Sequence, residues 1–283
     1  MSKKVPEKEN PKAQTTPDAE APSGAVMERP DTGGMIPFLS QAENIQLLKE
    51  QLGRITKIDF PRVNLPSGKS PGLFDTTPLT GQANSFAEKL KVIILYEGPR
   101  AAYFEKSFGE TGGKNFPDCY SNDRIHGQSE NGKLQSKTGL CKGCPQSAFG
   151  SALDDKGNAT GGKACRDSIF CFFLNSPTDI IPGLIRVPVK SLQSMEKYVI
   201  HVSARRRELW AQWTEISMVK KQNQKQLDYY ELVFAQKEAL DNADLRTVYD
   251  TYRLLLPQME IETVQVSDVE THESAYKSDV DRF

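Results

Sequence analysis

Four cysteines near the middle of the chain have the spacing of a metal site: Cys119, then Cys141 and Cys144, then Cys165. There are 21 residues between Cys119 and Cys141, and 20 between Cys144 and Cys165. The central pair reads Cys-Lys-Gly-Cys-Pro, a CxxC knuckle whose two thiols can reach one ion from a single tight turn. Gly143 gives that turn backbone freedom, and Pro145 helps to end it. Four thiolates complete a tetrahedral zinc shell and leave no open position, so the chemistry implied is structural, with one Zn2+ per chain. A catalytic zinc would bring His or carboxylate ligands and keep a water site. His126 is the nearest alternative ligand, and it also reads as a solvated loop histidine. Two other readings of the cluster stay open, reduced free thiols and a disulfide. A disulfide requires an exported protein, whereas Met1-Ser2-Lys3-Lys4-Val5-Pro6 lacks the apolar stretch of a signal peptide. Cys171 lies in the apolar run Ile169–Leu174 and reads as a buried strand residue.

A second constellation suits single-stranded nucleic acid, which is held by cations along a groove and by aromatic faces that stack bases. The candidates are Lys69 and Phe74; Arg100, Tyr103, Phe104 and Lys106; Lys142, Lys163 and Arg166 inside the cysteine segment; and Arg205-Arg206-Arg207. Tyr103 is the leading platform, since it sits between basic residues after an expected turn at Gly98-Pro99. Each aromatic also has a plain reading as core, and the arginine cluster a plain reading as a solvated face.

These residues need elements to position them. The cysteine segment, about 116–167, is so rich in Gly, Asn, Asp and Ser that it cannot build an apolar core, and a metal crosslink would fix its shape. On either side the pattern predicts strands: Arg54–Phe60, Arg62–Leu65, the buried run within Lys89–Glu97, Ser168–Leu174 and Gly183–Val189. A loop is expected over Pro66–Ala87. Trp213–Lys221 and Tyr229–Gln236 alternate about a polar link and predict a hairpin. Helices are expected over Gln41–Leu52, Ser191–Val202 and Asp241–Leu256, the last stopped by Pro257. The fold class is α+β and mainly β: an OB-like barrel or curved antiparallel sheet with an inserted zinc lobe and a few helices.

The chain has 36 basic and 37 acidic residues, unevenly distributed. Residues 257–283 hold seven acidic and two basic groups, and residues 1–35 hold six and five, which leaves the body at about +5. The expected organisation is a disordered segment at 1–35, one β-rich domain at 36–256 and an acidic disordered tail at 257–283. No apolar stretch reaches membrane-spanning length, so no membrane partner is expected and the default compartment is the cytoplasm.

Two resemblances add to this. The run Pro117-Asp118-Cys119-Tyr120-Ser121-Asn122-Asp123, then Cys141-Lys142-Gly143-Cys144-Pro145, Phe149-Gly150-Ser151 and Gly162-Lys163-Ala164-Cys165-Arg166-Asp167, resembles a family of four-cysteine proteins carried by phages and mobile elements. That resemblance implies a role in replication or recombination, with single-strand binding as the activity. The last fifteen or so residues, acidic and ending in Phe283, resemble the tails of single-stranded DNA-binding proteins of bacteria and phages. The likeness implies that Asp279, Asp281 and Phe283 recruit replication or recombination proteins; Arg282 departs from the pattern.

No phosphate-binding GxxxxGK[ST] loop is present. Asp123, Asp154, Asp155 and Asp167 could hold magnesium for a nuclease, but two of them follow cysteines closely enough to cap turns instead. The leading expectation is a non-enzymatic, zinc-stabilised single-stranded DNA-binding protein. The alternatives are a zinc-containing interaction or regulatory module without affinity for bare DNA, and a metal-dependent nuclease.

Overall fold

The runs Val92–Leu95 and Ile169–Leu174 are apolar without alternation, which requires strands buried on both faces. The computed structural model describes residues 58–66, 70–105, 116–129, 134–154, 157–222 and 228–264, with Leu47, Glu50, Gln51, Gly132 and Gln226. Its elements follow in the order β1 (Arg62–Val63), β2 (Phe74–Asp75), α1 (Thr77–Thr80), β3 (Phe86–Ala87), β4 (Lys89–Tyr103), β5 (Cys119–Ser121), β6 (Arg166–Leu174), β7 (Gly183–Val187), α2 (Leu192–Ala204), β8 (Gln212–Gln222), β9 (Asp228–Ala239) and α3 (Asn242–Ile261). The main sheet runs β1-β7-β6-β4-β8-β9, with β5 attached to the far end of β4. Only the β1–β7 pair is parallel. The protein is α+β and mainly sheet, and the sheet curls into a half-barrel.

Alternate residues of the central strands feed two cores. Val92 and Ile94 of β4, with Ile169, Cys171 and Phe173 of β6, pack against Met195, Tyr198 and Val202 of α2. Ile93 and Leu95, with Phe170, Phe172 and Leu174, lie under Val248, Leu255 and Met259 of α3. Each such side chain contributes about 1.5–3 kcal/mol by leaving water, so the two helices fix the sheet from both sides. Tyr198 reconciles its phenol with burial by sharing a hydrogen bond with Thr214 at 2.6 Å.

Several boundaries differ from expectation for identifiable reasons. β4 does not turn at Gly98-Pro99 but continues to Tyr103. Pro99 is tolerated because β8 pairs only with Lys89–Val92 and β5 only with Ala101–Tyr103, leaving one side of β4 free at Pro99. Helix α3 runs through Pro257 to Ile261, and Glu262 and Val264 beyond it are buried, so the ordered body reaches past 256. The expected loop over Pro66–Ala87 holds a small sheet, β2 with β3, and the short helix α1. Ile58 and Phe60 are buried without forming a strand, and the rest of that expected strand lies outside the described residues. The hairpin is present as β8 and β9. Leu47, Glu50 and Gln51 are helical, and the remainder of the expected Gln41–Leu52 helix lies outside the described residues, as do residues 1–35 and 265–283. No helix among the described residues is long and apolar enough to cross a membrane.

Candidate metal centre and its surroundings

Strand pairing brings the two outer cysteines together. β4 lies between β5 and β6; Cys119 of β5 faces Tyr103, and Arg166, one residue after Cys165, faces Ala102. The CxxC turn is then tied to both. Cys141 N–H donates to Ile125 O at 2.8 Å, Cys144 N–H closes the knuckle on Cys141 O at 3.1 Å, and Cys165 N–H donates to Gln146 O at 2.8 Å. Gly143 has φ +81°, the left-handed conformation the turn requires.

As a result Cys119, Cys141, Cys144 and Cys165 line a single small cavity, with Tyr103 as part of its wall. None of the five cysteines is in a disulfide. Burial raises the Cys141 thiol, and raises that of Cys165 to about 12 with help from Asp167 and the other three sulfurs. The donor set is four thiols with no carboxylate among them, a set that would suit a structural zinc ion. Among the described residues no group of three or more His, Cys, Asp or Glu side chains is placed to hold a metal ion. Cys171 is fully buried in the first core, away from this cluster, and burial pushes its thiol up strongly.

The loop between the first two cysteines is organised by Asp123. Its carboxylate accepts from Ile125 N–H at 2.7 Å, His126 N–H at 2.8 Å and the Ser121 hydroxyl at 2.9 Å, and pairs with His126 Nδ1 at 2.7 Å. Burial alone would raise this carboxyl, but the hydrogen bonds, that from the His126 ring foremost, hold it well below the usual range. His126 is thus engaged with Asp123. Arg124 fastens the loop to the sheet, donating to Ser168 O at 2.7 Å and Arg100 O at 3.3 Å.

Two expected nucleic-acid residues are corrected. Phe74 is wholly buried in the first core and offers no face to a base. Arg100 is also wholly buried. Its five N–H donors have five backbone acceptors: Glu262 O at 2.8 Å, Met259 O at 2.8 Å, Glu260 O at 3.1 Å, Asn122 O at 2.8 Å and Pro99 O at 3.0 Å. It caps the C-terminus of α3, which runs on past Pro257 to Ile261, from inside the sheet by meeting carbonyls of its last turn. Burial lowers its pKa, while Tyr96, Glu262 and Glu260 act to raise it. A Cβ on Gly98 would lie 2.5 Å from Arg100 Nη1, so the folded-back guanidinium requires glycine there. Arg62 pairs with Glu262 at 2.5 Å, and Arg62 and Arg100 both lie over the Phe170 ring.

Other candidates are placed as follows. Phe104 is half-buried against the second core, and Tyr103 is half-buried in the cysteine cavity wall. Lys142 is exposed on the CxxC turn, and Arg166 is half-buried at the start of β6. Lys163 binds Asp167 at 3.0 Å and lies 5.1 Å from the centre of the Phe149 ring. Arg205, Arg206 and Arg207 are exposed after α2; Arg205 donates to Gln236 at 3.0 Å. Lys69, Lys106, Asp279, Asp281 and Phe283 lie outside the described residues. The lysines of β8 and β9 are largely committed to carboxylates, as in Lys220–Asp228 and Lys221–Glu231, each at 2.6 Å.

Phe149 is the feature that sequence reasoning did not single out as a contact: it is 81% exposed. The signal available was its place in a segment with no apolar periodicity to bury it. No protein-family model, curated protein or solved structure matches this chain.

Proposed function

We propose that this protein binds single-stranded DNA without catalysing a reaction, in replication or recombination of a phage or mobile element. In this reading Cys119, Cys141, Cys144 and Cys165 hold one structural Zn2+ that crosslinks the lobe. The curled sheet serves, as in an OB-like barrel, as the wall on which the lobe stands. The observation that carries the reading is the pairing of a cation with an exposed aromatic on that lobe: Lys163 over the Phe149 ring. Single strands are held by that combination, since every base has a π-face and every nucleotide a charge. Lys142 and the exposed arginines 205–207 are the further cations available for phosphate. In keeping with the tail resemblance, Asp279, Asp281 and Phe283 would engage partner proteins.

Fluorescence anisotropy with a labelled oligonucleotide at two salt concentrations tests the central claim. Binding that weakens steeply with salt is expected; no binding at low salt would sink it. A second reading, a protein-interaction module, is favoured by one observation: Ile125, Leu134, Leu140, Phe149 and Leu153 are all exposed on the lobe. It predicts an intact metal site and no affinity for bare DNA.

A further inference from the structure

An exposed phenylalanine on a slack loop is unremarkable. Phe149 is not on a slack loop. Ser147 N–H and Ala148 N–H donate back to Cys144 O at 3.0 Å and Pro145 O at 3.3 Å, and Ser151 N–H closes on Ala148 O at 3.2 Å. The tongue is anchored to the strand-ward arm of the lobe by Gly150 N–H to Gly162 O at 2.8 Å and Cys165 N–H to Gln146 O at 2.8 Å. The Ser151 hydroxyl, bonded to Ala148 O at 2.6 Å, accepts from Ala164 N–H at 2.9 Å and locks the two arms together. The frame therefore presents an apolar ring to water from a hydrogen-bonded backbone, shortly after the CxxC knuckle. Lys163 pairs in turn with Asp167, which keeps the cation beside the ring.

An exposed ring on an ordered backbone, with a cation at one face and open solvent around it, matches a flat, π-rich ligand joined to a negative charge. Resting on the single-strand reading above, we infer that Phe149 is a stacking platform for one unpaired nucleobase, and that Lys163 faces the same nucleotide. A base inside a duplex is already stacked on both sides and cannot lie on the ring, so the platform selects single strands. The arrangement carries no hydrogen-bond pattern that reads base edges, so it is tolerant of sequence.

The test uses the full chain, a labelled oligothymidylate of about 30 nucleotides, long enough for at least one site, and a duplex of the same length. F149A should weaken single-strand binding about 5- to 150-fold, the range for losing one stacked base, and leave duplex binding unchanged. Its melting temperature should match wild type, because the ring contributes almost nothing to either core. F149W should retain affinity, and its indole emission should be quenched on binding, measured above the background of the two native tryptophans. If wild type binds and F149A binds within about twofold, the platform is refuted while the single-strand reading stands. If wild type does not bind the oligonucleotide, the single-strand reading fails and the platform with it.

Discussion

Replacing Arg100 by Met keeps the bulk of the side chain and removes five donors. One acceptor, Pro99 O, is its chain neighbour; the other four belong to the end of α3 and to Asn122 in the cysteine lobe. Hydrogen bonds from charged groups contribute roughly 1.5–3 kcal/mol each, but Met also relieves the desolvation of a buried cation, so the gross sum overstates the loss. Removing one member of a buried charged network costs about 3–5 kcal/mol, and that is the expected loss for R100M. For a domain of this size each kcal/mol moves Tm by about 2–4 °C, so Tm should fall by roughly 6–20 °C. Arg100→Lys keeps the charge but has three donors and no fork, and should cost about half as much. Thermal and urea unfolding give the stabilities. Hydrogen exchange locates the effect: the last turn of α3 and the loop at Asn122 should lose protection together, the middle of β8 should not. A loss below about 1 kcal/mol in R100M, or unchanged exchange at residues 259–262, would show that the guanidinium is not what ends and holds the helix.

Cys144→Ser should lower zinc content from about one per chain and lower Tm with it; elemental analysis and melting check both, and no change in either dissolves the four-cysteine site. Glu97→Gln should raise Tm at neutral pH, since burial of Glu97 raises its carboxyl pKa above the unfolded value. That group costs stability as pH rises from the unfolded pKa through the folded one, so the gain from Gln should vanish in acid; a gain independent of pH rules out this cause. Replacing Arg205, Arg206 and Arg207 together by Ala should reduce the log–log salt slope of DNA binding by about 2 if all three meet phosphate. An unchanged slope, read from anisotropy across a salt series, makes them a solvated face.

Local signals reported the fold well where one strand or helix decided its own state. The unbroken apolar runs of β4 and β6, the alternation of β8 and β9, and the helix starting at Ser191 were all readable, as was the gathering of four spaced cysteines around one cavity. What sequence missed depended on a partner far along the chain. Gly98-Pro99 reads as a turn because nothing local says that β4 has only one neighbour there. Pro257 reads as a stop because nothing local says that the carbonyls of the turn beyond it are met by a side chain at position 100. Arg100 and Phe74 read as ligand contacts because residue type alone does not distinguish a buried group whose donors are met from one facing solvent. The Phe149 ring was overlooked for the opposite reason, since aromatic residues are core far more often than surface.

The helix cap also orders events during synthesis. Arg100 and its acceptor at Glu262 are 162 residues apart, so the guanidinium emerges from the ribosome long before the carbonyls it needs. Until then, burying it would leave most of its donors unmet, and the Gly98–Ala102 stretch of β4 has reason to stay wet while the cysteine lobe and the hairpin are made. Closure of this half of the domain is therefore a late, C-terminal event. A nascent chain stopped before residue 259 should remain open at the very seam where the lobe meets the sheet, and accessible there to proteases and chaperones.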